Sequence, residues 1–391
     1  MASDLPSVIA ERVRRVGPLP FDEVLDIALY HPDLGFYSGE RGAGRDRDFL
    51  TSPEVGPLYG AVVARALDTW WDDLGRPDPF VVTEAGAGTG TLAKTVLAAG
   101  PECGPALRYV LVEQSQGLRA VHAGGLALEP ASFVLGPSTG PDPDLGPQSG
   151  SGSGPMVTSL AELPAGPLDG VVLANELLDN LPFRLLQRNG RGWEEVRIDD
   201  DLAEVLVPAA SALTAEADGL APEAPAGGRI PVQHRAASWL RAASACLGSG
   251  RVVVVDYADS TPGLARRPWT EWVRTYRSHG RGGHPLSDLG AQDVTCEVAV
   301  DQLARVRAPV SNRSQAEFLR AHGLEDLVAA ARESWEGQAA VGDLAAVAAR
   351  SRVTEAAALT DPSGLGGFRV LEWAVPGSPG RGRSLRPTEA R

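Results

Sequence analysis

Phe80-Val81-Val82-Thr83-Glu84-Ala85-Gly86-Ala87-Gly88-Thr89-Gly90-Thr91-Leu92-Ala93-Lys94 decides how the chain is read. The stretch opens on a β-rich apolar run. It passes through glycines at 86, 88 and 90 and enters a segment of helical composition from Thr91 to Ala99. Strand, glycine turn and helix in that order make the first βα unit of a nucleotide-binding α/β sheet. A chain that leaves a strand and turns at once into a helix needs φ values that glycine adopts cheaply, and bare backbone where a ligand lies close.

The spacing separates this turn from a pyrophosphate site. A dinucleotide fingerprint is Gly-x-Gly-x-x-Gly, and here the third glycine comes one residue early. Glu84 stands just before the turn, where an acid repels phosphate and suits a cationic amino group. A second apolar run, Tyr109-Val110-Leu111-Val112, ends in Glu113. An acid at the end of a second strand is placed to grip a ribose diol. Together the two acids point to S-adenosyl-L-methionine (SAM). The expected cofactor contacts are Glu84, Gly86, Gly88, Gly90, Glu113 and Gln114, joined by Thr51 and Ser52 from a preceding helix start.

Bulk properties bound the rest. The 391 residues suffice for one large domain with additions, or for two. The hydrophobic share of 43% is that of a globular chain, and no apolar run approaches the length of a bilayer span. Met1 to Arg15 has mixed charge without an apolar core segment, so no secretory signal is expected and a cytoplasmic location is. A net charge of −14 argues against a general grip on nucleic acid and leaves a basic partner plausible. The cysteines, Cys103, Cys246 and Cys296, form no close pair, so neither a disulfide framework nor a metal site is expected.

Further strands are expected at Leu168–Ala174, Gly250–Tyr257, Val294–Val300 and Gly367–Ala374. The third falls either at Ser132–Leu135 or at Met156–Thr158. Thr51-Ser52-Pro53-Glu54 reads as a helix start with Ser52 as N-cap. Leu185–Arg188 and Trp193–Ile198 flank Asn189-Gly190-Arg191-Gly192 as a hairpin around an Asn-Gly turn. The expected architecture is an α/β fold with a mostly parallel seven-stranded sheet. Residues 1–75 form a helical cap or lid. The core comes in two parts, 76–185 and 250–376, the second with a long loop at 266–290. A hairpin and helical insertion follows the fourth strand at 186–249, and 377–391 is a disordered tail.

Ligands of an open parallel sheet bind beyond the carboxyl ends of its strands. The fourth strand runs into Asn175-Glu176-Leu177-Leu178-Asp179. A helix beginning near Asn175 would put residues 175 and 179 on one face with Glu176 beside them. Asn175 can orient cofactor or acceptor. Glu176 and Asp179 suit a guanidinium, a planar cation whose N–H groups match carboxylates in pairs. His284 is a further candidate base, though a loop histidine is more often structural. Tyr37 and Tyr257 read as packing residues.

These segments carry a resemblance. Asp26 to Tyr37, Asp48 to Glu54, the glycine turn, Leu111-Val112-Glu113, Ala174 to Pro182, Asp256-Tyr257 and Ser314 to Leu319 together resemble the MidA family. That family comprises SAM-dependent methyltransferases related to a mitochondrial complex I assembly factor. The resemblance spans most of residues 18 to 323 and implies a class I SAM-methyltransferase fold of Rossmann-like type. It further implies protein arginine methylation, with a respiratory complex I subunit as acceptor. Two other functions compete: a small-molecule N- or O-methyltransferase, and an assembly or scaffolding protein with a vestigial SAM site.

Overall fold

The computed structural model describes residues 4–38, 51–136, 154–277, 280–338 and 344–377. At its centre is a seven-stranded sheet. In chain order its strands are β1 (Phe80–Ala85), β2 (Leu107–Val112), β3 (Met156–Leu160), β4 (Leu168–Asn175), β5 (Leu247–Asp256), β6 (Ser311–Ser314) and β7 (Arg369–Val375). In space they run β6-β7-β5-β4-β1-β2-β3. The pairs from β5 to β3 are parallel, and β7 lies antiparallel to both β5 and β6. Every residue of β1 and β2 is buried, as expected of strands covered on both faces.

Alternation along the strands sorts the two faces. Val171 and Val253 enter one apolar cluster with Val62, Trp70, Leu92 and Phe318. Their neighbours Val172, Val252 and Val254 enter another with Ala236, Leu240 and Trp373. Each fully buried valine or leucine stabilises the fold by about 1.5–3 kcal/mol.

The third strand is the Met156 segment; Ser132–Leu135 lies in a short helix, Ala131–Leu135. Val294–Val300 is not a strand of this sheet. Asp293–Cys296 instead pairs with Val273–Arg277, within what was expected to be a long loop. The sixth strand is Ser311–Ser314, at the sheet edge, where a strand needs no apolar alternation and so leaves no periodic signal.

The described residues of 1–75 divide between two clusters and do not form one cap. Helices α1 (Leu5–Val16) and α2 (Phe21–Tyr30) pack with the insertion. Leu19 and Pro20 pair with Ile198 and Arg197 as part of its five-stranded sheet. Ile9, Phe21 and Leu25 share a cluster with Phe183, Ile198 and Trp272. Helices α3 (Ser52–Val55) and α4 (Pro57–Asp73) lie instead on the central sheet. An amphipathic pattern shows that a helix buries a face, but not against what. The hairpin closes as expected through Asn189-Gly190-Arg191-Gly192, with Asn189 Oδ1 accepting the N–H groups of Arg191 and Gly192. Asp48–Leu50 and most of 377–391 fall outside the described residues.

Candidate active site

The glycine turn joins β1 to helix α5 (Thr91–Ala98). Gly86, Gly88 and Gly90 have φ of +71°, +56° and +74°, a region costly for any other L-residue. Val112 O accepts the N–H groups of Gly86 and Ala87. Glu113 finishes the arrangement: its Oε2 accepts Gly88 N–H at 3.0 Å and its Oε1 accepts Ser115 N–H at 2.8 Å. Glu84 is buried at the end of β1 and accepts the Tyr109 hydroxyl at 2.7 Å. The phenol is held protonated, by burial first and by Glu84 beside it.

The end of β4 supplies the other wall. No helix begins at Asn175, so the expected shared helix face does not form. The chain turns through Glu176, at φ +52°, into a single 3₁₀ turn, Leu178–Asn180. Tyr59 on α4 donates its hydroxyl to Asn175 Oδ1 at 2.6 Å, which orients the amide. Asn175 Nδ2 then donates to Glu176 Oε1 at 3.0 Å, and Ser52 N–H donates to the same oxygen at 3.1 Å. Left-handed backbone at a glutamate costs on the order of 1 kcal/mol, and these bonds hold it there.

Asp179 is 4% exposed. Its Oδ1 accepts no hydrogen bond among the described residues. Burial raises its pKa well above the usual carboxylate range, and Asp256, Asp293 and Glu176 push the same way. Asp256, on β5, is buried too and holds the turn through the N–H groups of Leu178 and Asp179. A third segment closes over this wall. Tyr30 and Tyr37 stack with ring centroids 5.5 Å apart, Tyr30 donates to Asn180 O, and Tyr37 donates to Asp293 Oδ1 at 3.0 Å. Asn180 Nδ2 donates to that same Asp293 oxygen at 3.1 Å.

The two walls enclose one cleft of about 1220 Å³ at the carboxyl ends of the parallel strands. Its described lining carries seven carboxylic acids, Glu54, Glu84, Glu113, Glu162, Glu176, Asp179 and Asp293, and no Lys, Arg or His. Tyr30, Tyr37, Tyr257, Tyr276 and Trp239 line it as well. Of the residues singled out in the sequence, Thr51, Glu84, Gly86, Glu113, Gln114, Asn175, Glu176 and Asp179 line it.

Gly88, Gly90 and Ser52 are not in its lining. A Cβ on Gly90 would stand 3.0 Å from Leu111, so that glycine serves packing. The Ser52 hydroxyl donates to buried Gln315, leaving only its N–H to act, through Glu176. Thr51, not Ser52, is the N-cap of α3, in a reciprocal box with Glu54. His284 stands outside the cleft, its ring edge-on to Trp269. Tyr37 and Tyr257, read from sequence as packing, line the cleft. Asp256, Asp293, Tyr30 and Tyr59 were not among the site residues expected from the sequence. A polar residue at a strand end was the signal for Asp256; the others had none that was local.

The donor set suits SAM. Glu113 offers a carboxylate where a diol would sit, buried Glu84 offers another to a cationic group of a ligand, and the described lining has no base to repel a sulfonium. The fold and cleft are those of a methyltransferase, and the comparisons agree. A family model described as "Putative S-adenosyl-L-methionine-dependent methyltransferase" matches residues 62–317. The chain belongs to that family and is a SAM-dependent methyltransferase.

A chain from Burkholderia thailandensis, solved with S-adenosyl-homocysteine bound, superposes with a TM-score of 0.74 at 26% identity, over 95% of this chain and 92% of that one. The protein arginine methyltransferase NDUFAF7 homolog, mitochondrial, of Drosophila melanogaster is 30% identical over 203 residues, 50% of this chain and 44% of the fly protein. The Mus musculus protein arginine methyltransferase NDUFAF7, mitochondrial, is 26% identical over 342 residues, 80% of this chain and 73% of the mouse protein. The chain thus spans less than half of the fly protein and about three quarters of the mouse one.

Proposed function

We propose that this methyltransferase modifies an arginine of a protein, with Glu176 and Asp179 holding the guanidinium. The observation that carries this reading is Asp179 Oδ1, a buried carboxyl oxygen without a hydrogen-bond donor among the described residues, in a cleft rich in acids and aromatic rings. A buried acceptor left unmatched costs about 1–3 kcal/mol, and an incoming N–H donor removes that cost. A guanidinium brings five such donors, and its flat face suits the rings of Tyr30, Tyr37 and Tyr257.

SAM, when bound, supplies an electrophilic methyl on a sulfonium. Glu84, Gly86, Glu113, Gln114 and Thr51 are the residues we assign to hold it. Asn175, fixed by Tyr59, and Glu176, fixed by Ser52 and Asn175, present their polar groups from the same strand end. Two carboxylates on the guanidinium would keep its charge to one side and turn a nitrogen toward the methyl. The proton released on transfer would pass to Glu176 or Asp179. The relatives' names support the arginine, and a respiratory complex I subunit is the acceptor we put forward. A volume of about 1220 Å³ exceeds the roughly 300–1,000 Å³ of a small-ligand pocket, leaving space for a donor and a side chain together.

The test is transfer from labelled SAM to two peptides that differ only in arginine or lysine at the centre, read by mass spectrometry. Label on the arginine peptide alone, abolished by Glu176→Gln with S-adenosyl-homocysteine binding intact, is the expected result. Label only in small molecules of a cell extract would overturn the protein acceptor, and unchanged transfer by Glu176→Gln would overturn the carboxylate clamp.

A further inference from the structure

His122 lies at the end of α6 (Gln116–His122) and is wholly buried. Its Nε2 is 2.8 Å from Gly88 O and its Nδ1 is 2.9 Å from Ser159 Oγ on β3. A carbonyl accepts only, so Nε2 carries the proton and donates to Gly88. Nδ1 then accepts from the Ser159 hydroxyl. Burial pushes the imidazole pKa down, which keeps this neutral tautomer.

The Gly88 peptide is therefore held from both sides. Glu113 takes its N–H and His122 its C=O. The glycine turn and β3 meet at one ring. Gly88 has φ +56°, and no side chain of its own fixes that conformation. We infer that His122 is a positioning residue for the cofactor: it holds the glycine turn, and with it the Glu113 carboxylate, in the geometry that receives SAM. The inference rests on the SAM reading of the cleft and assigns His122 no contact with the acceptor.

The two ring nitrogens allow the donor to be tested apart from mere filling of space. The amide nitrogen of glutamine reaches about as far as Nε2 of histidine, and that of asparagine about as far as Nδ1. His122→Gln can still donate to Gly88, whereas His122→Asn cannot. S-adenosyl-homocysteine affinity is measured by calorimetry on the full chain for wild type, His122→Gln and His122→Asn. KM for SAM, KM for acceptor and kcat are measured alongside.

The expected result is that His122→Asn weakens binding about tenfold, about 1.4 kcal/mol, and raises KM for SAM alike. Its kcat and acceptor KM stay near wild type, and His122→Gln stays within about threefold throughout. Equal loss in both variants, or loss in neither, would overturn the inference. So would a fall in kcat at unchanged KM for SAM. Failure of wild type itself to bind S-adenosyl-homocysteine would instead overturn the cofactor assignment on which the inference rests.

Discussion

Asp256 accepts the backbone N–H of Asp179 at 3.2 Å through the same Oδ2 that takes Leu178 N–H at 2.9 Å. Two buried carboxyls are thereby set one behind the other. Asp256 has backbone donors and Asp179 Oδ1 has none among the described residues. The pair cannot hold two full charges cheaply, and Asp179 keeps its proton to a higher pH than an ordinary aspartate.

Acceptor binding should therefore release a proton. A guanidinium favours the ionised carboxylate, so the Asp179 pKa falls on binding, and affinity rises with pH until the pKa of the free enzyme is passed. Calorimetry of an arginine peptide in buffers of different ionisation enthalpy reads the proton directly. Asp179→Asn should abolish the release and weaken acceptor binding about tenfold or more, while S-adenosyl-homocysteine binds as before.

Glu113 should matter for the opposite ligand. Its carboxylate accepts the backbone N–H groups of Gly88 in the turn and of Ser115 before α6, and in our assignment it also faces the ribose diol. Glu113→Ala removes charge-assisted bonds of about 1.5–3 kcal/mol each. The expected loss in S-adenosyl-homocysteine affinity is about a hundredfold. Equilibrium binding on a variant whose circular dichroism matches wild type checks it.

A cap supplied from far along the chain should show in stability. Glu355, buried on the helix Leu344–Thr360, accepts Leu58 N–H at 3.0 Å in the first turn of α4. Gly56 leaves room for it, since a Cβ there would overlap the Glu355 carboxylate. Glu355→Ala should cost about 1–2 kcal/mol, read as a lower denaturant midpoint. Tyr59 lies one residue beyond Leu58, so transfer should fall as well.

Acid should loosen the far side of the core. His322 packs against Phe318 and Trp70, and Arg313 Nη2 donates to its Nε2 at 3.2 Å. Burial, and then the Arg313 charge, lower its pKa to about 4. The folded state thus binds fewer protons than the unfolded chain. The contribution of His322 to stability is complete above pH 6.5, falls as pH drops toward 4 and is flat below. His322→Gln, which keeps an acceptor for Arg313, should flatten that slope by about 1–3 kcal/mol over the window. Melting temperatures at several pH values test it.

The βα unit around Gly86 was legible because strand burial, the φ demands of a glycine turn and a following helix coincide within fifteen residues. Glu113 and Asn175 to Asp179 were legible because polar groups interrupt buried runs. Pairing across long sequence distances was not. Nothing near Ser52 announces that its N–H will meet Glu176, and nothing near Tyr37 points to Asp293. The Ser311–Ser314 edge strand lacked a signal because an edge is partly solvated. The split of the N-terminal segment between two clusters depended on partners that periodicity does not name.

The left-handed backbone at Glu176 inverts an ordinary ranking. Alanine there would keep the strained φ and lose the bonds to Ser52 and Asn175, whereas glycine would lose the bonds and shed the strain. Glycine should therefore fold more firmly than alanine at this position, by about 0.5–1 kcal/mol. On the role proposed for Glu176, that one substitution should yield a well-folded chain of unaltered outline that no longer transfers a methyl group.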